Sequence, residues 1–114
     1  MKVLVVDDEP VVLALISRML DGEGHVTSRA ERGRTAVDMA RREKFEMAFL
    51  DMGLPDVKGE HLLSTLHQLQ PEMKIVVVSG GDMAHGEPER LREMGAWQVL
   101  PKPFDMKQLK LALA

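Results

Sequence analysis

Two stretches of this chain, Val3-Leu-Val-Val6 and Ile75-Val-Val-Val78, are unbroken runs of β-favouring apolar residues with no polar residue between them. A strand with one wet face alternates apolar and polar residues. A continuous run has to be covered on both faces, which means a parallel strand between two layers of helices. Met47-Ala-Phe-Leu50 reads the same way, Trp97 to Leu100 reads as a last strand, and His25 to Arg29 is a weaker run suited to a sheet edge. Between these runs apolar residues recur at helical spacing: Val12, Leu15, Ile16 and Met19, then Ala36, Val37 and Ala40, then Leu62, Leu66 and Leu69. Leu91 with Met94, and Met106 with Leu109 and Leu113, mark two more helices, the first starting near Pro88. Pro10 suits a first helical turn, and Gly22 and Gly24 end the segment that follows it. The alternation predicts an α/β domain: a five-stranded parallel sheet with five helices on both faces.

At 114 residues the chain has the length of one domain, with no internal repeat, linker or low-complexity tract. Its closing Leu-Ala-Leu-Ala lacks a glycine cap or a terminal lysine, so the expectation is a single domain over 1–114, cut within its last helix from a longer protein. The net charge of −3 gives no reason to expect direct nucleic-acid binding, which calls for a basic face. With no cysteine, disulfides, thiolate catalysis and zinc-thiolate sites are excluded. The apolar run before Asp7 is too short for a signal peptide, and no run approaches membrane-spanning length. No membrane association is expected, and the expected location is the cytoplasm.

Chemistry gathers where the strands end. Asp7-Asp8-Glu9 follow the first run, Asp51 the third, Ser79 the fourth and Lys102 the fifth. In a parallel sheet all carboxyl ends lie on one edge, where open α/β folds bind ligands. Three carboxylates collected there repel one another unless something positive joins them. They suit a hard divalent cation such as Mg²⁺, which takes few protein carboxylates and keeps its other positions for water and phosphate oxygens. An ammonium and a hydroxyl nearby would hold further phosphoryl oxygens. A carboxylate can itself accept a phosphoryl group as an acyl phosphate.

The segments VVDDEP, FLDMGLPDVKG, VVVSGG and LPKPF, in this order, resemble the response-regulator receiver family of two-component signal transduction over essentially the whole chain. The resemblance implies a flavodoxin-like doubly wound sheet of strand order 2-1-3-4-5. It implies that Asp51 is the phosphoacceptor, with Mg²⁺ held by Asp8, Asp51 and the backbone carbonyl of Gly53, and with Asp7 acting through a metal-bound water. Ser79 would bond a phosphoryl oxygen, and Lys102 would pair with Asp51 and then with the phosphoryl group. The Lys102–Pro103 peptide is expected to be cis. Implied partners are a sensor histidine kinase or phosphotransfer protein in a phosphorelay, and an output domain or downstream protein met through the face of the fourth helix, last strand and last helix. A homodimer on phosphorylation and an autophosphatase activity, rather than conventional enzyme turnover, belong to the same expectation.

Each residue also has a bland alternative. Asp7, Asp8 and Glu9 could be first-turn acids of a helix, and Glu9 is read mainly as that. Asp51 could open a turn, although Pro55 and Asp56 already serve there. Ser79 could bond local backbone, and Lys102 could be solvated. His25, His61, His67 and His85 lack metal-ligand spacing and read as surface residues. Trp97 is read as packing between helix and strand in preference to a partner contact. A haloacid-dehalogenase-like phosphatase with Asp51 as nucleophile would need a second aspartate at position 53, which is glycine. A flavin binder would carry a Ser/Thr/Gly-rich loop where this chain has acids. A receiver used only for docking would not need the full set of acids, hydroxyl and lysine. The chain departs from the family pattern at Val99, where many members have an aromatic residue that turns inward on activation. Gly53 and Gly81 occupy positions that tune acyl-phosphate lifetime, and Gly80, Gly81 and Gly86 make a permissive loop, a candidate for the moving element.

Overall fold

The computed structural model describes residues 1–79 and 87–113. Strands and helices alternate as expected: β1 (Lys2–Val6), α1 (Pro10–Gly22), β2 (Val26–Ala30), α2 (Gly33–Arg42), β3 (Met47–Asp51), α3 (Gly59–Leu69), β4 (Lys74–Ser79), α4 (Glu87–Glu93), β5 (Ala96–Pro101) and α5 (Met106–Leu113). All strand pairs are parallel, in the order β2-β1-β3-β4-β5. The weak run is at the edge and the continuous runs are central. The permissive glycine loop and His85 lie outside the described residues.

Strand residues alternate between two cores. Leu4, Val6, Ala48, Leu50, Ile75 and Val77 pack on α2, α3 and α4 through Ala36, Leu62, Leu66 and Leu91. Val3, Val5, Met47, Phe49, Val76 and Val78 pack on α1 and α5 through Leu13, Ile16, Leu20 and Leu109. Each fully buried side chain of this size contributes about 1.5–3 kcal/mol by leaving water, so both layers are needed to hold the sheet.

Several side chains differ from their sequence reading. The buried stripe of α1 is Leu13, Ile16, Ser17 and Leu20, and Leu15 stands 47% exposed. Two i, i+3, i+4 patterns one residue apart both run through Ile16. The inward one contains a serine, which is tolerated because its hydroxyl donates to the Leu13 carbonyl at 2.8 Å. Trp97 is 42% exposed on edge strand β5, with the Lys74 ammonium 4.7 Å from its ring centroid. With that much of the indole open to solvent, it does not fill a helix–strand gap as expected. His61 is exposed as expected, but His67 is half-buried against Gly95. Gly95 has φ +118°, and a Cβ there would lie 2.6 Å from His67 Cγ.

Candidate functional site

Strands β1, β3, β4 and β5 deliver their carboxyl ends to one edge, and the parallel register aligns those ends. Asp7 follows β1 and is buried, its amide donating to the Ala30 carbonyl at 3.1 Å. Asp8 is exposed, and Asp51, the last residue of β3, is buried. Carboxylate oxygens of Asp7, Asp8 and Asp51 all lie within 4.8 Å of one another. Ser79, half-buried at the end of β4, accepts on its carbonyl from the Lys102 amide at 2.7 Å. The Lys102–Pro103 peptide is cis. A cleft of about 460 Å³ opens on this cluster, lined by Asp8, Glu9, Asp51, Met52, Gly53, Ser79 and Lys102.

The ammonium of Lys102 is shared unequally. It donates to Asp7 Oδ2 at 3.0 Å and stands 3.6 Å from Asp51 Oδ1. The expected pairing with Asp51 is therefore a Coulombic neighbour, and the hydrogen bond goes to Asp7, the more buried acid. Asp51 Oδ1 accepts instead from the Gly53 amide at 3.2 Å. Glu9 has the N-cap position of α1 without a side-chain cap, and its amide donates to Asp7 Oδ1 at 2.9 Å.

Burial pushes the Asp51 carboxyl above its ordinary value, and the neighbouring charges of Asp7 and Asp8 add to the rise. The Gly53 amide and Lys102 pull it back without cancelling it. For Lys102 burial opposes the charge, but the hydrogen bond it donates to Asp7 and the charge of Asp51 prevail and raise its pKa, keeping it an ammonium. Three carboxylates face one ammonium, so the cluster lacks positive charge. Its donors are all hard oxygens with no imidazole or thiolate among them, which fits Mg²⁺ and not a soft metal.

Two neighbours of the site were not legible in the sequence. Asp56, read as a turn residue, caps α2: its carboxylate accepts from the Gly33 and Arg34 amides at 3.0 and 3.1 Å, which holds its pKa below the ordinary value. The available sign was that α2 begins at Arg32-Gly33 with no capping side chain of its own. Gly59, the first residue of α3, lies so close to Met52 that a Cβ would be 2.8 Å from Met52 Cα. No periodicity marks such a contact.

The family model described as "Response regulator receiver domain" matches residues 3–114. Among curated proteins, the chain is 27% identical to the sporulation initiation phosphotransferase F of Bacillus subtilis (strain 168), over 98% of this chain and 90% of that protein. It is 32% identical to the probable transcriptional regulatory protein TcrX of Mycobacterium tuberculosis, over 97% of this chain but 47% of that one. Among solved structures, a CheY-like receiver domain protein from Methanospirillum hungatei JF-1 superposes with a TM-score of 0.90 at 27% identity, covering 98% of this chain and 89% of the other. A response regulator from Burkholderia pseudomallei, solved with a phosphorylated aspartic acid, a calcium ion and citrate, gives 0.89 at 29% identity, over 99% of this chain and 66% of that one.

Proposed function

The chain belongs to the response regulator receiver family of two-component signalling, and on that premise we propose that Asp51 is the residue phosphorylated, from a phosphohistidine of a sensor kinase or phosphotransfer protein. The observation that carries this reading is the setting of Asp51. It is a buried carboxylate within 4.8 Å of two further acids and 3.6 Å from a lysine ammonium, beside a cleft.

Asp8, Asp51 and the Gly53 carbonyl would hold Mg²⁺, with Asp7 reaching it through water. Bound there, the ion supplies positive charge against phosphoryl oxygens. The Gly53 amide and the Lys102 charge fix Asp51 Oδ1, and no hydrogen bond among the described residues engages Oδ2, leaving that oxygen to attack. An O–P bond forms as the histidine N–P bond breaks, and the neutralised imidazole leaves. Lys102, held as an ammonium by Asp7, is 3.6 Å from the acceptor, within reach of an oxygen of the incoming group. Ser79 lines the same cleft and offers its hydroxyl to another.

The phosphorylated domain acts as a switch for an output domain or downstream protein met through α4, β5 and α5, with homodimerisation on phosphorylation. Water would return Asp51 to its free state, as an autophosphatase. Among the described residues no helix is long and apolar enough to cross a membrane; the compartment proposed for the exchange is the cytoplasm, where ATP is available to a sensor kinase.

Acetyl phosphate with Mg²⁺ tests the acceptor. Intact mass should show one added phosphoryl group that is lost in mild base, and Asp51→Asn should abolish it. Labelling of Asp51→Asn at the wild-type rate would overturn the assignment.

A further inference from the structure

With Val99 half-buried in the core of the α2–α4 side, no aromatic side chain is available at that position to report on the site. A different chain of contacts runs from the acceptor to α4. Met52 follows Asp51 directly, and its amide donates to the Val78 carbonyl at 3.2 Å, which anchors it to β4. Its Cα and thioether abut Gly59 closely enough that a Cβ there would lie 2.7–2.9 Å from them. Contact this tight transmits a displacement, because neither backbone can yield alone.

The next residue, Glu60, is in the first turn of α3 and pairs with the guanidinium of Arg90 on α4. The same guanidinium holds Glu87 at the start of α4 and approaches Met94 Sδ, just after its end, at 3.7 Å. Arg90 thus spans the whole of α4 and ties it to α3. The helix has seven residues, and among the described residues Leu91 is its one fully buried side chain. A short element with a single buried anchor can adopt two positions for a small free-energy difference.

We infer that the Glu60–Arg90 pair is the coupling clamp of this receiver, through which movement of the Met52–Gly59 contact on phosphorylation of Asp51 shifts α4. The inference rests on Asp51 being the acceptor. Glu60 and Arg90 line no part of the cleft that holds Asp51, Ser79 and Lys102, although Glu60 lines a neighbouring cavity with Met52 and Ser79. Breaking it therefore leaves the transfer rate intact and weakens the response of α4. Exposed ion pairs are individually weak, so the loss expected is a roughly two- to fivefold drop in coupling, and raised salt should mimic it in the wild type.

The test is hydrogen exchange of the full chain with and without beryllofluoride and Mg²⁺, comparing wild type, Glu60→Gln and Arg90→Ala. Phosphorylation of each by acetyl phosphate is followed in parallel by mass. The wild type should change protection across Glu87–Glu93, both variants should lose most of that change, and all three should be phosphorylated at the same rate. An α4 response that is absent in the wild type, or equal in all three proteins, overturns the clamp. Failure of the wild type to be phosphorylated at Asp51 overturns the acceptor assignment instead, which keeps the two conclusions separable.

Discussion

Replacing Gly59 by alanine adds one methyl group at the point where α3 meets the segment after Asp51. The new Cβ would lie 2.7 Å from Met52 Sδ and 2.8 Å from Met52 Cα. Non-bonded carbons rest at about 3.5–4.0 Å, so roughly 0.7 Å or more has to be found. The thioether can swing aside, but the Cα cannot without moving the backbone that follows β3. Overpacking of this kind costs about 1–3 kcal/mol. Gly59 has no positive φ, so alanine returns about 0.4–1 kcal/mol by restricting the unfolded chain. The net is a destabilisation of about 0–2.6 kcal/mol, centred on about 1.3 kcal/mol, which is about 5 °C in Tm for a domain of this length. Gly22→Ala is the matched control, since a Cβ there meets nothing within 4 Å and should leave Tm unchanged or slightly raised. Differential scanning calorimetry of the two variants reads both effects in one experiment. Equal stability of Gly59→Ala and Gly22→Ala would refute the steric reasoning.

Magnesium should stabilise the fold by relieving the repulsion among Asp7, Asp8 and Asp51. At ten times its dissociation constant the gain is about 1.4 kcal/mol by mass action, several degrees of Tm, and Asp8→Asn should largely remove it. Melting indifferent to millimolar Mg²⁺ would count against the metal site. The carboxylate of Asp56, bound to the start of α2, has a folded pKa below the ordinary 3.8. Its contribution is therefore complete above that value and is lost as pH falls through the lower folded value. Urea titrations at pH 7 and pH 3 should show wild type more stable than Asp56→Asn at pH 7, with the gap narrowing at pH 3; a gap independent of pH would contradict the capping role.

The apolar runs Val3–Val6, Met47–Leu50 and Ile75–Val78 determined the layered α/β architecture without help from the structure, because only a doubly covered parallel sheet can bury them. Once the sheet is parallel, Asp7, Asp8, Asp51, Ser79 and Lys102 share one edge, since each stands at the carboxyl end of a strand, and the order β2-β1-β3-β4-β5 brings them together. Strand identity and the shared edge are thus properties of local pattern. Which residues touch within that site is not. That Lys102 donates to Asp7 while standing 3.6 Å from Asp51 depends on relative burial of two acids on different strands. The stripe Val12, Leu15, Ile16 and Met19 read for α1 is one residue out of phase with the buried Leu13, Ile16, Ser17 and Leu20, where the serine hydroxyl is satisfied by the Leu13 carbonyl. Asp56 reaching back to α2, Gly59 pressed on Met52, and Arg90 joining α4 to α3 are contacts between segments whose sequences carry no trace of one another. Periodicity records whether a residue faces the core; it holds no information on distance between two elements, which packing alone decides.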